Sequence, residues 1–265
     1  MFLGMKEMTR LTAVTFDLWQ TLILDTRENG IARSNLRLSA ANETLRSAGL
    51  NYDLTEIKQA YENCSKYCRE IRDNNKDINF NQQVEVFIRF IDPTLLGKLS
   101  TQEIKQIRET YCNAFFSHPP FPHPNATEVL FTIKNMGLKL GLISNTSMTP
   151  GYAFREFLNE HSLLEYFDIL IFSDEVLISK PSKNIFHHTL AALNVGPGQT
   201  VHVGDHPITD VNGANLAGLG SIWIEGFYKT SEFDAPNIKA DVNVQDLKEV
   251  PNAITELLTL GSRCL

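Results

Sequence analysis

A chain of 265 residues with 43% apolar and 21% charged side chains has ordinary globular composition, with length for one large domain or a core plus a smaller one. Its net charge of −7, with basic residues scattered along the chain, argues against a nucleic-acid or anionic-membrane surface, because both need a concentrated positive field. A small-molecule substrate is the expectation that remains.

The opening MFLGMKEMTR lacks the apolar run of a signal peptide, and no later stretch approaches the roughly 18 apolar residues of a membrane span. A cytoplasmic location is expected, with Cys64, Cys68, Cys112 and Cys264 as free thiols. The first β-rich run, LTAVTF, ends directly before Asp17. Residues 25–120 then show helical patterns and no convincing strand, and read as an inserted helical domain. Asp53 with Glu56, and Ser100 with Glu103, have the spacing of helix-capping pairs. The helix from Asp53 carries the stripe Ile57, Ala60, Tyr61, Cys64, Cys68, Ile71, so its two cysteines read as core packing rather than half a metal site. The helix from Ser100 carries Ile104, Ile107, Tyr111, Ala114 and Phe115 on one face. HPPFPHP at 118–124 restricts the backbone and reads as a linker or hinge.

From there the pattern alternates. Helices are expected at 125–136, with Asn125 and Glu128 as cap and partner, and at 151–160, 183–194 and 208–218. Strands are expected at LKLGLI before Ser144, at 168–172, at TVHV before Gly204-Asp205, at 220–224 and at 240–244. Strand alternating with helix implies an α/β fold, a Rossmann-like doubly wound parallel sheet whose ligands bind at the carboxyl ends of the strands.

Asp17 should therefore emerge where substrates bind, although an aspartate after a strand also serves as an ordinary helix cap. Asp205 follows another strand, and Asp210 lies shortly beyond it. Acids converging with Asp17 would repel strongly unless a cation neutralised them, and hard carboxylate oxygens with no histidine or cysteine pattern favour magnesium. Gly204 permits close backbone approach. Ser144, followed by Asn145 and Thr146, could grip an anionic oxygen, and Lys180 could place a fixed positive charge beside developing negative charge.

In order and setting, FDLWQTL, LISNT, SKPS and GDHPITD resemble the four motifs of the haloacid dehalogenase superfamily. The resemblance implies a core formed by 1–24 and 121–265 and a helical cap over 25–120. It implies Asp17 as nucleophile, Ser144 as ligand of a phosphate oxygen and Lys180 as charge stabiliser. Asp17, Asp205, Asp210 and the backbone carbonyl of Trp19 become the magnesium site, and Trp19, Ser144, Asn145 and Lys180 the substrate contacts.

Two positions depart from the pattern. The superfamily's phosphatases usually have a second aspartate two residues after the nucleophile, and here that residue is Trp19. Indole cannot exchange a proton near neutral pH, so general acid–base help of ~10²–10⁴-fold is missing at this position. The plausible substrates are then small phosphorylated molecules with good leaving groups, such as acyl phosphates, phosphoanhydrides or activated aryl phosphates. Substitute acids to consider are His206, Asp25, His118 and His123. Gln20 stands where glycine is common. The rival reading is a metal-free 2-haloacid dehalogenase, whose relatives share the aromatic residue and place a halide-binding arginine in the cap; Arg33, Arg37 and Arg46 are available. Asp205 opposes that reading, since an unneutralised carboxylate would hinder an anionic haloacid. A third reading is a binding protein that kept the fold and lost catalysis.

Overall fold

The computed structural model describes residues 11–226 and 238–261. The chain enters through β1 (Ala13–Phe16), buried at every position, and a two-residue strand β2 (Ile23–Leu24). Helices α1 (Arg27–Ser47), α2 (Leu54–Asp73), α3 (Phe80–Ile91), α4 (Leu95–Lys98) and α5 (Thr101–Ser117) follow. Then β3 (Phe121–Pro122) pairs antiparallel with β2. The proline-rich segment thus returns the chain beside the point from which the helices departed.

The remainder alternates helix and strand through α6 (Ala126–Asn135), β4 (Lys139–Ser144), α7 (Gly151–Glu160), β5 (Ile169–Phe172), α8 (Ser173–Val176) and α9 (Lys183–Leu193). Next come β6 (Thr200–Gly204), a π-helical turn over Pro207–Asn212, α10 (Gly213–Ala217), β7 (Gly220–Ile224), β8 (Val242–Val244) and α11 (Val250–Gly261). The main sheet has the order β5-β4-β1-β6-β7-β8, and every pairing in it is parallel. This is the α/β, Rossmann-like sheet expected from the alternating pattern. Because it is covered on both faces, β1 and β6 are buried at every position, and even their polar members Thr15 and His202 lie inside rather than alternating outward. β1 lies between β4 and β6, so strand order turns there, and the carboxyl ends of these three strands flank one crevice.

Local signals set most element boundaries. The capping boxes at Asp53 and Ser100 both form, and Asn79 with Gln82 makes a further one that starts α3. Ile57, Ala60, Cys64 and Cys68 of α2 are buried, and Cys64, Cys68 and Cys112 are free; Cys264 lies outside the described residues. On α5, Ile107, Tyr111, Ala114 and Phe115 are buried. Two expectations need correction. Asn125 stands at the N-cap of α6 but makes no side-chain capping bond; its amide instead donates to Asp246 Oδ1 at 3.1 Å, a partner from a distant loop. The helix expected over 208–218 is also not uniform. Its first turn is π-helical, with Val211 N–H bonded to the His206 carbonyl, before α10 begins. Such a bulge changes which side chains face the sheet.

Candidate active site

Asp17 leaves the tip of β1 with its N–H bonded to the Val203 carbonyl of β6 at 2.9 Å. One carboxylate oxygen, Oδ2, accepts from Thr21 Oγ1 at 3.3 Å; the other, Oδ1, accepts from Lys180 Nζ at 2.5 Å. Lys180 reaches Asp17 from the loop before α9. Asn145, one residue past β4, fastens that loop: its amide donates to the Lys180 carbonyl at 3.0 Å and its Oδ1 accepts the Lys180 N–H at 2.9 Å. The Lys180–Pro181 peptide is cis.

Lys180 also donates to Asp210 Oδ1 at 2.6 Å, so a single ammonium spans two carboxylates. The same Asp210 oxygen meets His202 Nε2 at 3.2 Å, while Asp210 Oδ2 accepts the His206 N–H at 3.0 Å. Gly204 makes room for this arrangement, since a Cβ there would lie 2.4 Å from Asp210 Cγ. Asp205 follows β6, and its carbonyl accepts from Trp223 Nε1 at 2.7 Å, fixing the backbone that carries it. Asp17, Asp205 and Asp210 each present an oxygen within 4.8 Å of the others, and all three residues are buried.

Three carboxylates and one ammonium leave two negative charges unmatched when all are ionised. The consequences fall unevenly. Burial pushes Asp17 up to about 6, against the pull of Lys180 and with the help of Asp210. Burial and the charges of Asp17 and Asp210 push Asp205 up to about 9. Burial opposes ionisation of Asp210 as well, but Lys180 and His202 hold it below the ordinary carboxylate value. Burial likewise disfavours the Lys180 charge, yet Asp17 and Asp210 keep its ammonium above the usual lysine value. Asp205 therefore carries the electrostatic excess. A divalent cation held by hard oxygens fits that donor set.

Ser144 ends β4 beside β1, and its hydroxyl is buried with no hydrogen-bond partner among the described residues, an arrangement that costs free energy until something bonds to it. Trp19 is half-buried. Its indole packs edge-on against Phe154, ring centres 5.3 Å apart, and the Arg33 guanidinium lies 5.9 Å from its centre. Gln20 adopts a left-handed φ of 56°, which explains why glycine suits the position; its side chain also bonds the backbone of Asp25.

The other groups weighed from sequence have defined surroundings. Asp25 is paired with Arg33, which also donates to the His118 carbonyl at 2.8 Å. His206 Nδ1 accepts the N–H groups of Ile208 and Thr209, and His123 Nδ1 accepts that of Asn125. Arg37 is buried and donates to the Tyr111 carbonyl, Tyr61 Oη and Thr149 Oγ1, whereas Arg46 is exposed. Thr15 and His202 were not anticipated. Thr15 Oγ1 lies 2.9 Å from His202 Nδ1, and the two face each other across the β1–β6 register. Their sequence signal is a polar residue at the middle of each of two otherwise apolar runs.

Comparison with known proteins adds an independent line. The profile of the haloacid dehalogenase-like hydrolases matches residues 11–218. A glyceraldehyde 3-phosphate phosphatase of Methanothermobacter thermautotrophicus is 32% identical over 224 residues, 84% of this chain and 90% of that protein. A phosphoserine phosphatase of Thermus thermophilus is 34% identical over 128 residues, and there the match spans 48% of this chain and about half, 49%, of the relative. Among solved structures, a 2-haloacid dehalogenase from Pseudomonas syringae superposes with a TM-score of 0.69 at 20% identity, covering 93% of this chain and 99% of the other, a likeness of fold. Profile, relatives and sheet topology agree: the chain belongs to the haloacid dehalogenase-like hydrolase family.

Proposed function

We propose that the chain is a magnesium-dependent phosphohydrolase that works through an aspartyl phosphate at Asp17 on a small molecule with a good leaving group. The observation that carries the reading is the position of Asp205, buried against Asp17 and Asp210 in a cluster whose negative charge exceeds that of its one ammonium. Asp17, Asp205 and the backbone carbonyl of Trp19 would hold the ion, with Asp210 beside them. When bound, magnesium offsets these carboxylates and draws charge from the phosphoryl oxygens.

The chain's own residues then have distinct tasks. Asp17 attacks phosphorus through a carboxylate oxygen, and the bond from phosphorus to the departing oxygen breaks with its electron pair. Lys180 keeps Asp17 ionised and offsets charge on the phosphoryl group. The unpartnered hydroxyl of Ser144 supplies a hydrogen bond to a phosphoryl oxygen. Water then hydrolyses the aspartyl phosphate, releasing phosphate and regenerating Asp17. Trp19 gives the leaving group no proton, which favours acyl phosphates, phosphoanhydrides and activated aryl phosphates. Residues 25–120 form a cap over the core built from 1–24 and 121–265, excluding bulk water and supplying specificity.

Two named relatives act on phosphate esters, glyceraldehyde 3-phosphate and phosphoserine, and this supports phosphoryl chemistry. Trp19 favours a second reading, metal-free dehalogenation of a 2-haloacid by Asp17. A hydrolysis screen separates the two, using acetyl phosphate, p-nitrophenyl phosphate, sugar phosphates and 2-chloropropionate, each with magnesium or with chelator. Magnesium-dependent release of phosphate, lost in Asp17→Asn, is the expected result. Chloride release that persists in chelator would overturn it in favour of the dehalogenase, and absence of all turnover would point to a binding protein.

A further inference from the structure

Lys180 is held against Asp17 by more than its own loop. Its partner Asp210 is one link in a buried series of contacts that runs from Thr15 Oγ1 to His202 Nδ1, from His202 Nε2 to Asp210 Oδ1, and from Lys180 Nζ to both Asp210 Oδ1 and Asp17 Oδ1. Each of these side chains is nearly or wholly inaccessible, so water does not substitute for a missing link. We propose that His202 is a positioning residue: fixed by Thr15 as its Nε2–H tautomer, it holds the Asp210 oxygen that anchors the Lys180 ammonium beside Asp17. The inference rests on the reading of Asp17 and Lys180 as the reacting pair.

The tautomer follows from the partners. Asp210 Oδ1 is a carboxylate oxygen already receiving Lys180, so it can only accept, and the proton must sit on His202 Nε2. Nδ1 is then a lone pair, and the Thr15 hydroxyl, 2.9 Å away, donates to it in preference to the Val201 carbonyl, its other acceptor at 3.5 Å. The Phe186 ring meets the imidazole edge-on at 5.1 Å and 90°, which limits its rotation.

The geometry also shows what this bond adds. Asp210 Oδ2 accepts the His206 N–H, and apart from His202 its Oδ1 meets, among the described residues, only the end of the long Lys180 side chain. His202 fixes Oδ1. With two of its three N–H bonds directed to Asp17 and Asp210, the Lys180 ammonium retains one for a substrate oxygen. A role confined to strand packing would be met by the Thr15–His202 contact; the second nitrogen reaching Asp210 goes beyond it.

The test compares His202→Asn, His202→Phe and His202→Gln with the unaltered protein, using acetyl phosphate and p-nitrophenyl phosphate with magnesium. Phenylalanine fills the space with no donor, asparagine is too short to reach Asp210, and glutamine can place an amide N–H near the imidazole Nε2. Asn and Phe should lower kcat by ~10–100-fold with KM nearly unchanged, the usual cost of losing a partner behind a reacting group. Gln should recover most of that loss. Independently of turnover, ¹⁵N spectra of the histidine rings should report His202 as the Nε2–H tautomer, and Thr15→Val should alter that signature.

An Nδ1–H tautomer would overturn the inference, as would a folded His202→Asn protein with unaltered kcat, or a Gln variant as impaired as Asn. If the Phe variant fails to fold, the Asn and Gln pair still decides. If the unaltered protein hydrolyses neither phosphate, the phosphatase reading falls, while the tautomer measurement still judges the His202–Asp210 bond.

Discussion

At the carboxyl ends of β1, β4 and β6 the interior is built from charges, whereas between α1, α2, α3 and α5 it is built mainly from rings, aliphatic side chains and thiols, with Arg37 as a buried charge among them. Asp17, Asp205, Asp210, Lys180 and His202 are buried, as Phe87, Tyr111 and Phe115 are. The two interiors contribute in opposite ways. Burying aromatic side chains in the helical region is a direct source of stability. Burying ionised groups at the strand tips costs desolvation that mutual pairing only partly offsets, and removing one partner exposes the remainder of that cost. Between pH 5 and 8 the helical interior therefore depends on charge less than the strand-tip interior does.

Lys180→Met against Phe115→Ala sets that contrast most sharply. Each should cost ~3–5 kcal/mol, the first by leaving buried carboxylates unpaired and the second by opening a cavity. Urea unfolding at pH 5 and pH 8, read as the deficit from the unaltered protein at the same pH, tells them apart: the deficit of the Lys180 variant should shrink at the lower pH as carboxyls protonate, and that of the Phe115 variant should stay the same. Equal pH response would break the distinction between the two interiors.

A smaller effect is expected in the unaltered protein without divalent cations. Asp17 and Asp205 are raised to about 6 and about 9, so the folded state holds protons that the unfolded chain has released, and stability falls as pH rises towards the upper value. Burial lowers His202 and His206 from 6.5, which acts in the opposite direction below that pH. Between about pH 6.5 and 8, where the Asp205 effect stands apart from theirs, the melting temperature in chelator should decline. Magnesium should flatten the decline, because binding the ionised cluster stabilises the folded state. An identical profile with and without magnesium would remove the cation from the site.

The smallest change belongs to the helical region. Ser100→Ala deletes the hydroxyl that accepts the Glu103 N–H at 3.3 Å at the start of α5, and should cost ~1 kcal/mol at any of these pH values. A pH-dependent loss there would mean that the helical region shares the electrostatics of the crevice.

What the sequence by itself determined is what neighbouring residues control. Strand runs, the acids and serine that terminate them, and the capping pairs at Asp53 and Ser100 depend on periodicity and on contacts a few residues apart, so they are legible in one dimension. Where a remote partner competes, that legibility ends. Asn125 has the sequence of a cap, but Asp246, 121 positions away, takes its amide. His202 and Thr15 lie 187 positions apart and Lys180 and Asp17 163 apart, so only closure of the parallel sheet decided that they touch. The charge state of Asp205 was decided the same way. Electrostatic energy depends on distance and desolvation, and neither exists for these groups until the chain has folded.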